Sequence, residues 1–295
     1  MPVRPPLRIP WQKQPIPGTA APATGRLFDS VVLWCLTLPH ILQGRTWPNL
    51  VGGLDGTLTA NGTAAPAGFA ASTRQGNPAC IQCDGVNAYV NYGDQDRFDQ
   101  VLTGSYTFAI WCRTVQVSGV AHRLAGKGNN LLTVRTASGS PGQWRFFTNE
   151  IVTGFATTRT TLNDGLWHHL VFTREGTTSP TAVRTLYVDG VFDVRTAEDG
   201  SGSIAANAQS FQVGWDGSGN GSGTQQYGGD VDDLQLHSRV LTSAEVTDLY
   251  RLSLAGYPES VRQRRQVFPY VQTGTPATPD AIAARAQGPS LTATP

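Results

Sequence analysis

Two stretches, Asp164-Gly-Leu-Trp-His-His-Leu-Val-Phe-Thr173 and Thr185-Leu-Tyr-Val-Asp-Gly-Val-Phe-Asp-Val194, decide the fold class. In an extended chain successive side chains alternate between faces. Leu166, His168, Leu170 and Phe172 then share one side of the first stretch, and Trp167, His169 and Val171 the other. Apolar groups on both sides describe a strand in mid-sheet, covered above and below. In the second stretch Asp189-Gly190 separates two apolar runs. That pair marks a two-residue hairpin, because a type I′ turn needs positive φ at both central residues.

Further strands lie on either side. Ser105–Arg113 alternates with Tyr106, Phe108, Ile110 and Cys112 on one face, and Gln143-Trp-Arg-Phe-Phe147 is an aromatic strand. Phe211-Gln-Val-Gly214 and Val231–Leu236 add two more. Thr242-Ser-Ala-Glu245 is a capping box, in which the Thr hydroxyl and the Glu carboxylate each satisfy an amide of the first turn. Val246, Leu249 and Tyr250 then form a helical stripe that ends before Gly256 and Pro258. Composition agrees with many short strands and tight turns: Gly 33 and Pro 19 in 295 residues, with only 15% charged.

The balance of 22 basic and 21 acidic residues gives a net charge of +1, which argues against nucleic acid as the main ligand. The one basic cluster, Arg262, Arg264 and Arg265, reads as a solvated segment. Residues 1–10 carry no apolar h-region, so they do not read as a secretory signal. Val31–Leu38 is far shorter than the roughly 20 residues that span a bilayer, and no membrane contact is expected. Of the four cysteines, Cys80-Ile-Gln-Cys83 has the spacing of a redox pair or of half a zinc site. With no second such pair and no βαβ context, structural thiols are the expectation for these two and for Cys35, and Cys112 reads as a small buried hydrophobe.

Residues 1–26 hold seven prolines and read as an extended arm. Residues 255–295 form a low-complexity tail whose one apolar patch is Val267-Phe-Pro-Tyr-Val271. Between them, 27–254 reads as one domain.

The ordered set of segments resembles the laminin-G-like jelly roll of the concanavalin A-like lectin and glucanase superfamily. Val31-Val-Leu-Trp-Cys-Leu36 is similar to the opening strand and Asn49-Leu-Val-Gly-Gly-Leu-Asp-Gly-Thr-Leu58 follows it. Cys83-Asp-Gly-Val-Asn-Ala-Tyr-Val-Asn91 resembles the DGxxxYV strand, Asp164–Thr173 the WHHV strand and Leu186–Gly190 the LYVDG hairpin. Gly229–Leu234 with Arg239–Glu245 resembles the closing strand and helix. The resemblance implies an all-β antiparallel jelly-roll sandwich with one short C-terminal helix and extended terminal arms.

Members of this group bind glycans or proteins or serve as structural modules, and some bind calcium. Candidate calcium ligands are Asp94, Asp96 and Asp230, with Asp216 weighed beside them. Trp215, Asp216 and Asn220, at the Gly-rich 216–223 loop, are candidate ligand-binding residues. No paired catalytic carboxylates of the Glu-x-Asp-x-x-Glu kind appear, so no enzyme is expected. Trp144, Trp167 and Trp215 are the tryptophans weighed for sugar stacking, of which Trp167 is expected in the core, and His168 and His169, sent to opposite faces, are expected as satisfied histidines.

The opening Ile9-Pro-Trp-Gln-Lys-Gln-Pro15, followed by a jelly roll, resembles phage-encoded proteins of this domain type, and the low charge, the absence of a signal pattern and the Pro-rich arms agree with it. The leading expectation is a non-enzymatic virion component made in the host cytoplasm, a capsid decoration or other particle-surface protein. It would be a homo-oligomer contacting the major capsid protein through Pro10, Trp11, Pro15, Phe268 and Tyr270, and could touch surface glycans. The alternative is a glycan-binding module of a bacterial surface or secreted protein.

Overall fold

A computed structural model describes residues 27–37, 44–51, 53–60, 67–117, 119–148, 155–200, 202–215 and 225–257. Two antiparallel sheets of eight strands pack face to face. The first orders Val191–Ala197, Val183–Val188, His168–Glu175, Tyr106–Arg113, Gly228–His237, Ala79–Asp84 and Gly68–Ala71, and Val31–Cys35 also pairs with Gly228–His237. The second orders Phe155–Ala156, Ser140–Phe147, Thr133–Ala137, Arg123–Gly126, Gln212–Val213, Ala88–Asn91, Gly56–Ala60 and Thr46–Trp47.

The strand His168–Glu175 sits in mid-sheet between Tyr106–Arg113 and Val183–Val188. Leu170 and Phe172 enter the core between the sheets, where Phe172 stacks on Phe146 at 4.7 Å. Val171, on the other side, joins a second cluster with Trp34, Ala109, Tyr187, Val246 and Leu249. The alternation expected from sequence holds inside the strand, but the strand opens only at His168. Leu166 is 63% exposed and Trp167 only half-buried, so neither is core. The chain is still in the turn that starts at Asp164, whose carboxylate accepts from the Leu166 amide at 2.8 Å.

The hairpin closes through Val188 and Val191, with φ of 54° at Asp189 and 75° at Gly190. Asp189 tolerates positive φ because its carboxylate accepts from the His169 amide at 2.9 Å. Gly190 cannot be replaced cheaply, since a Cβ would lie 2.8 Å from the Tyr250 side chain.

The helix Ser243–Ala255 begins with both bonds of the capping box at Thr242 and Glu245, and Arg239 pairs with the same carboxylate at 2.6 Å. It buries Val246 and Leu249 on the outer face of the first sheet. A second helix, Asp96–Leu102, was not expected. Its Phe98, Val101 and Leu102 are buried at helical spacing, but its N-cap Gln95 makes no side-chain capping bond, so the usual start signal is missing. Gly128–Leu131 forms a further single helical turn.

All four cysteines are buried, and none forms a disulfide among the described residues. Cys80 and Cys83 lie three residues apart on one strand, an odd spacing that turns their sulfurs to opposite faces. Cys83 joins the core while Cys80 faces the carbonyls of Ala70 and Ala71, and burial pushes both thiols up to about 12. The structural-thiol expectation fits this placement.

Candidate ligand-binding cleft

Among the described residues, the outer face of the first sheet is covered as far as the closing helix reaches. In register, Asp232 opposes Trp111, and the Trp111 Nε1 donates to Ser253 Oγ at the end of the helix at 3.0 Å. One row further, Asp230 opposes both Arg113 and Gln82 across three adjacent strands. Here the helix has ended, and an open cleft of about 390 Å³ is lined by Gln82, Asp84, Arg113, Thr114, Gly165 and Asp230, among others.

Its floor is polar and held firmly. The Arg113 Nε donates to Asp230 Oδ2 at 2.8 Å, its Nη2 contacts the same oxygen, and its Nη1 donates to Thr73 Oγ1 at 3.0 Å. Gln82 Nε2 donates to the other Asp230 oxygen at 3.4 Å. The guanidinium lies 5.6 Å from the Trp167 ring centroid, a cation–π distance. Gly229 makes this approach possible: its φ is +151°, and a Cβ would sit 2.2 Å from the Arg113 carbonyl oxygen. Asp84 shapes the edge by accepting from the amides of Val86, Asn87 and Ala88 at 2.8–2.9 Å. Burial alone would raise this carboxyl, but the three amides outweigh it and hold it below the usual range.

The rim is apolar. Val115 is 70% exposed, and Gly165 is held against it by its amide, which donates to the Thr114 carbonyl at 3.1 Å. A charged floor, an indole and an exposed aliphatic rim can together hold hydroxyls by hydrogen bonds and the C–H face of a ring by packing.

Of the residues singled out from sequence, Asp230 lines this cleft. Trp215 is only 8% exposed and packs edge-on against Tyr89 at 6.0 Å, so it is a packed indole, not a ring offered to solvent. Asp216 and Asn220 lie outside the described residues, as do Pro10, Trp11, Pro15, Phe268 and Tyr270.

Among the described residues no three His, Cys, Asp or Glu, the calcium candidates Asp94, Asp96 and Asp230 included, gather as a metal site. Asp94 is paired with the ammonium of Lys127 at 2.7 Å, and Asp230 with Arg113. Asp96 is exposed in the first turn of its helix. Lys127 is fully buried, and its Nζ also meets Asp99 Oδ1 at 2.9 Å and the Asn207 carbonyl at 2.8 Å. A cation of the chain's own therefore fills the one dense oxygen cluster near Asp94.

Other charged groups that could suggest chemistry are tied into the structure. Asp232 accepts from Arg74, Asn77 and the Thr37 amide, and Asp233 from Trp34, Tyr257 and Gln235. Glu198 is clasped by Arg174 and Ser179 and contacts Thr148. His168 bonds Asp189 and Asp164, and His169 packs in a three-ring cluster with Trp111 at 5.1 Å and Tyr250 at 5.9 Å. Trp144 is core.

Two packed antiparallel sheets closed by a capped helix, with an open cleft at the loop end, define a lectin-type sandwich. The chain belongs to the concanavalin A-like lectin/glucanases superfamily, whose family model matches residues 84–247. No curated protein matches the sequence.

Similar solved structures share the fold at low identity. Domain 4 of AbnA, an extracellular GH43 arabinanase of Geobacillus stearothermophilus solved with arabinotriose, has a TM-score of 0.53 and 17% identity, covering 75% of this chain and 98% of that one. The binding domain of Paraclostridial Mosquitocidal Protein 1 gives 0.54 and 14%, covering 76% and 52%. A Trypanosoma rangeli sialidase complex gives 0.53 and 17%, covering 78% and 34%. The chain thus spans nearly all of the arabinanase domain, about half of the toxin domain and a third of the sialidase.

Proposed function

We propose that the protein is a non-catalytic glycan-binding module whose cleft takes a neutral oligosaccharide. The observation that carries this reading is the row Gln82–Asp230–Arg113, one step beyond the closing helix, with Trp167 beneath the guanidinium and Val115 at the rim. A non-catalytic role is supported by the way the cleft's carboxylates are engaged. Asp230 is held by Arg113 and Gln82, and Asp84 by three amides, whereas glycoside hydrolysis needs one carboxyl free to protonate and another free to attack or activate water. The arabinanase domain's arabinotriose makes that trisaccharide the first ligand to try. Calorimetric titration of the full chain with arabinotriose and a panel of neutral oligosaccharides tests the reading. Binding that weakens at least tenfold in Trp167→Ala supports it; no binding across the panel, or binding indifferent to that change, overturns it.

A second reading places the module on a phage particle, made in the host cytoplasm, with its arms on neighbouring subunits or the major capsid protein. What favours it is the density of proline in residues 1–26, a segment outside the described residues. Deleting 1–26 should then abolish incorporation into particles while the sandwich still folds, and unchanged incorporation would refute the role of the arm.

A further inference from the structure

The turn that carries Trp167 to the cleft is tied at both ends. On one side the Gly165 amide donates to the Thr114 carbonyl at 3.1 Å, and both residues line the cleft. On the other stands His168, the first residue of its strand, with a side chain only 11% exposed. Both of its ring nitrogens face carboxylates: Nδ1 lies 3.0 Å from Asp189 Oδ2, and Nε2 lies 3.2 Å from Asp164 Oδ1. The same Asp164 oxygen accepts from the Leu166 amide at 2.8 Å, which folds the turn. Asp189 is fixed in its own hairpin by the His169 amide at 2.9 Å and by Arg159 at 3.1 Å.

A neutral imidazole has one N–H and one bare lone pair, whereas the imidazolium donates from both nitrogens. Neutral His168 therefore satisfies one carboxylate and sets a lone pair against the other. Only the charged ring joins the Asp164 turn to the Asp189 hairpin.

We infer that His168 is a positioning residue of the cleft, whose imidazolium fastens the Asp164–Trp167 turn so that a neutral oligosaccharide is held more tightly in mild acid than in mild base. The choice of ligand rests on the glycan-binding reading above, whereas the tie itself does not. Trp167 is the link to the cleft floor, since its ring lies 5.6 Å from the guanidinium of Arg113, which holds Asp230.

The groups around His168 support this sense. Burial works against a charged ring, but the bonds and charges of Asp189 and Asp164 outweigh it and hold His168 above the ordinary value of about 6.5. Burial would also raise Asp189, yet His168 and the His169 amide keep it below the usual carboxylate range. Burial pushes the thiol of Cys112, opposite His168 in register, far up, and it raises the Tyr250 phenol. It pushes His169, on the same strand, down to about 3. The second bond of His168 is thus lost as pH rises through its folded value, and affinity falls in the same direction. A further histidine near the cleft, His122, has Nδ1 at 3.0 Å from Gln116 Nε2 and is the rival source of a pH response.

The test is calorimetric titration of the full chain with arabinotriose from pH 5.5 to pH 8.5, with the histidine rings and the Trp167 indole followed by NMR over the same range without ligand. The wild type is expected to bind roughly fivefold more weakly at the basic end, about the worth of one hydrogen bond. The Trp167 indole resonance should shift with the midpoint of His168. His168→Gln keeps a donor but cannot titrate, so it should bind throughout as weakly as the wild type does in base. Asp164→Asn keeps the oxygen that the Leu166 amide needs and removes the charge, so both the His168 midpoint and the binding response should move to lower pH. Wild-type binding that is flat with pH overturns the inference. So does a response that persists in His168→Gln, which would belong to His122, or an indole resonance indifferent to the His168 titration. If His168→Gln does not fold, the displaced midpoint in Asp164→Asn decides. If no oligosaccharide binds at any pH, the glycan-binding reading fails, and the indole shift alone decides whether His168 positions the turn.

Discussion

Arg74 and Asp232 form a buried two-point ion pair, with Nε at 2.9 Å and Nη2 at 2.6 Å from one carboxylate oxygen. Their side chains are almost wholly sealed, at 1% and 0% exposed, beneath the end of the closing helix, where Arg74 also donates to the Ser253 carbonyl. Removing one partner leaves the other charge uncompensated, which costs about 3–5 kcal/mol. Arg74→Ala is therefore expected to lower the denaturation midpoint sharply at pH 7. A midpoint within experimental scatter of wild type would show that the pair does not anchor the helix.

The helix start offers a milder check. The Thr242 hydroxyl accepts from the Glu245 amide, and burial is slight there. Thr242→Ala should cost about 1 kcal/mol, read as a lower chemical-denaturation midpoint with an unchanged slope.

Stability should fall in acid for a reason visible in two rings. Burial pushes His169 down to about 3, and burial with Arg239 nearby does the same to His237. Between the ordinary histidine value of about 6.5 and 3, the unfolded chain binds protons that the folded chain refuses, so stability is lost as pH drops through that window. Each group contributes a slope of about 1.4 kcal/mol per pH unit. His168 acts in the opposite sense. Burial would lower it, but bonds to Asp189 and Asp164 raise it, so its contribution is full below about 6.5 and fades as pH rises through its folded value. Denaturation midpoints between pH 8 and 4 check the balance: His169→Phe should flatten the acid limb, and an unchanged limb would contradict the assignment.

Lys127 supplies a fourth test. Because its ammonium already neutralises Asp94 and Asp99, calcium should leave the melting temperature of the wild type unchanged. Lys127→Met should lower it by several degrees through the unpaired carboxylates. A calcium-dependent rise in the wild type would restore the metal reading.

The frame was legible wherever the signal is local. The Asp189-Gly190 turn, the Thr242–Glu245 cap and the alternation of Tyr106–Cys112 each depend on neighbours in the chain, and each stands where the sequence placed it. The cleft was not legible, because it is made by register between strands remote in sequence. Nothing near Arg113 announces that Asp230 lies opposite. Trp215 misled for a related reason: a glycine-rich neighbourhood suggests exposure, but its ring is claimed by Tyr89. Asp94 misled because Lys127, which fills its oxygen cluster, comes from another strand's end.

Phe28, Trp34 and Tyr257 close into one aromatic knot: Phe28 stacks on Trp34 at 4.8 Å, and Tyr257 meets both edge-on at 6.1 and 4.9 Å. The first and last parts of the described chain thus start from a common point on the helix side. A unit whose two ends emerge together can be spliced into a surface loop of another protein without prising that loop apart. The sandwich is built like a pendant, able to hang from a host chain at a single point of attachment with the cleft open.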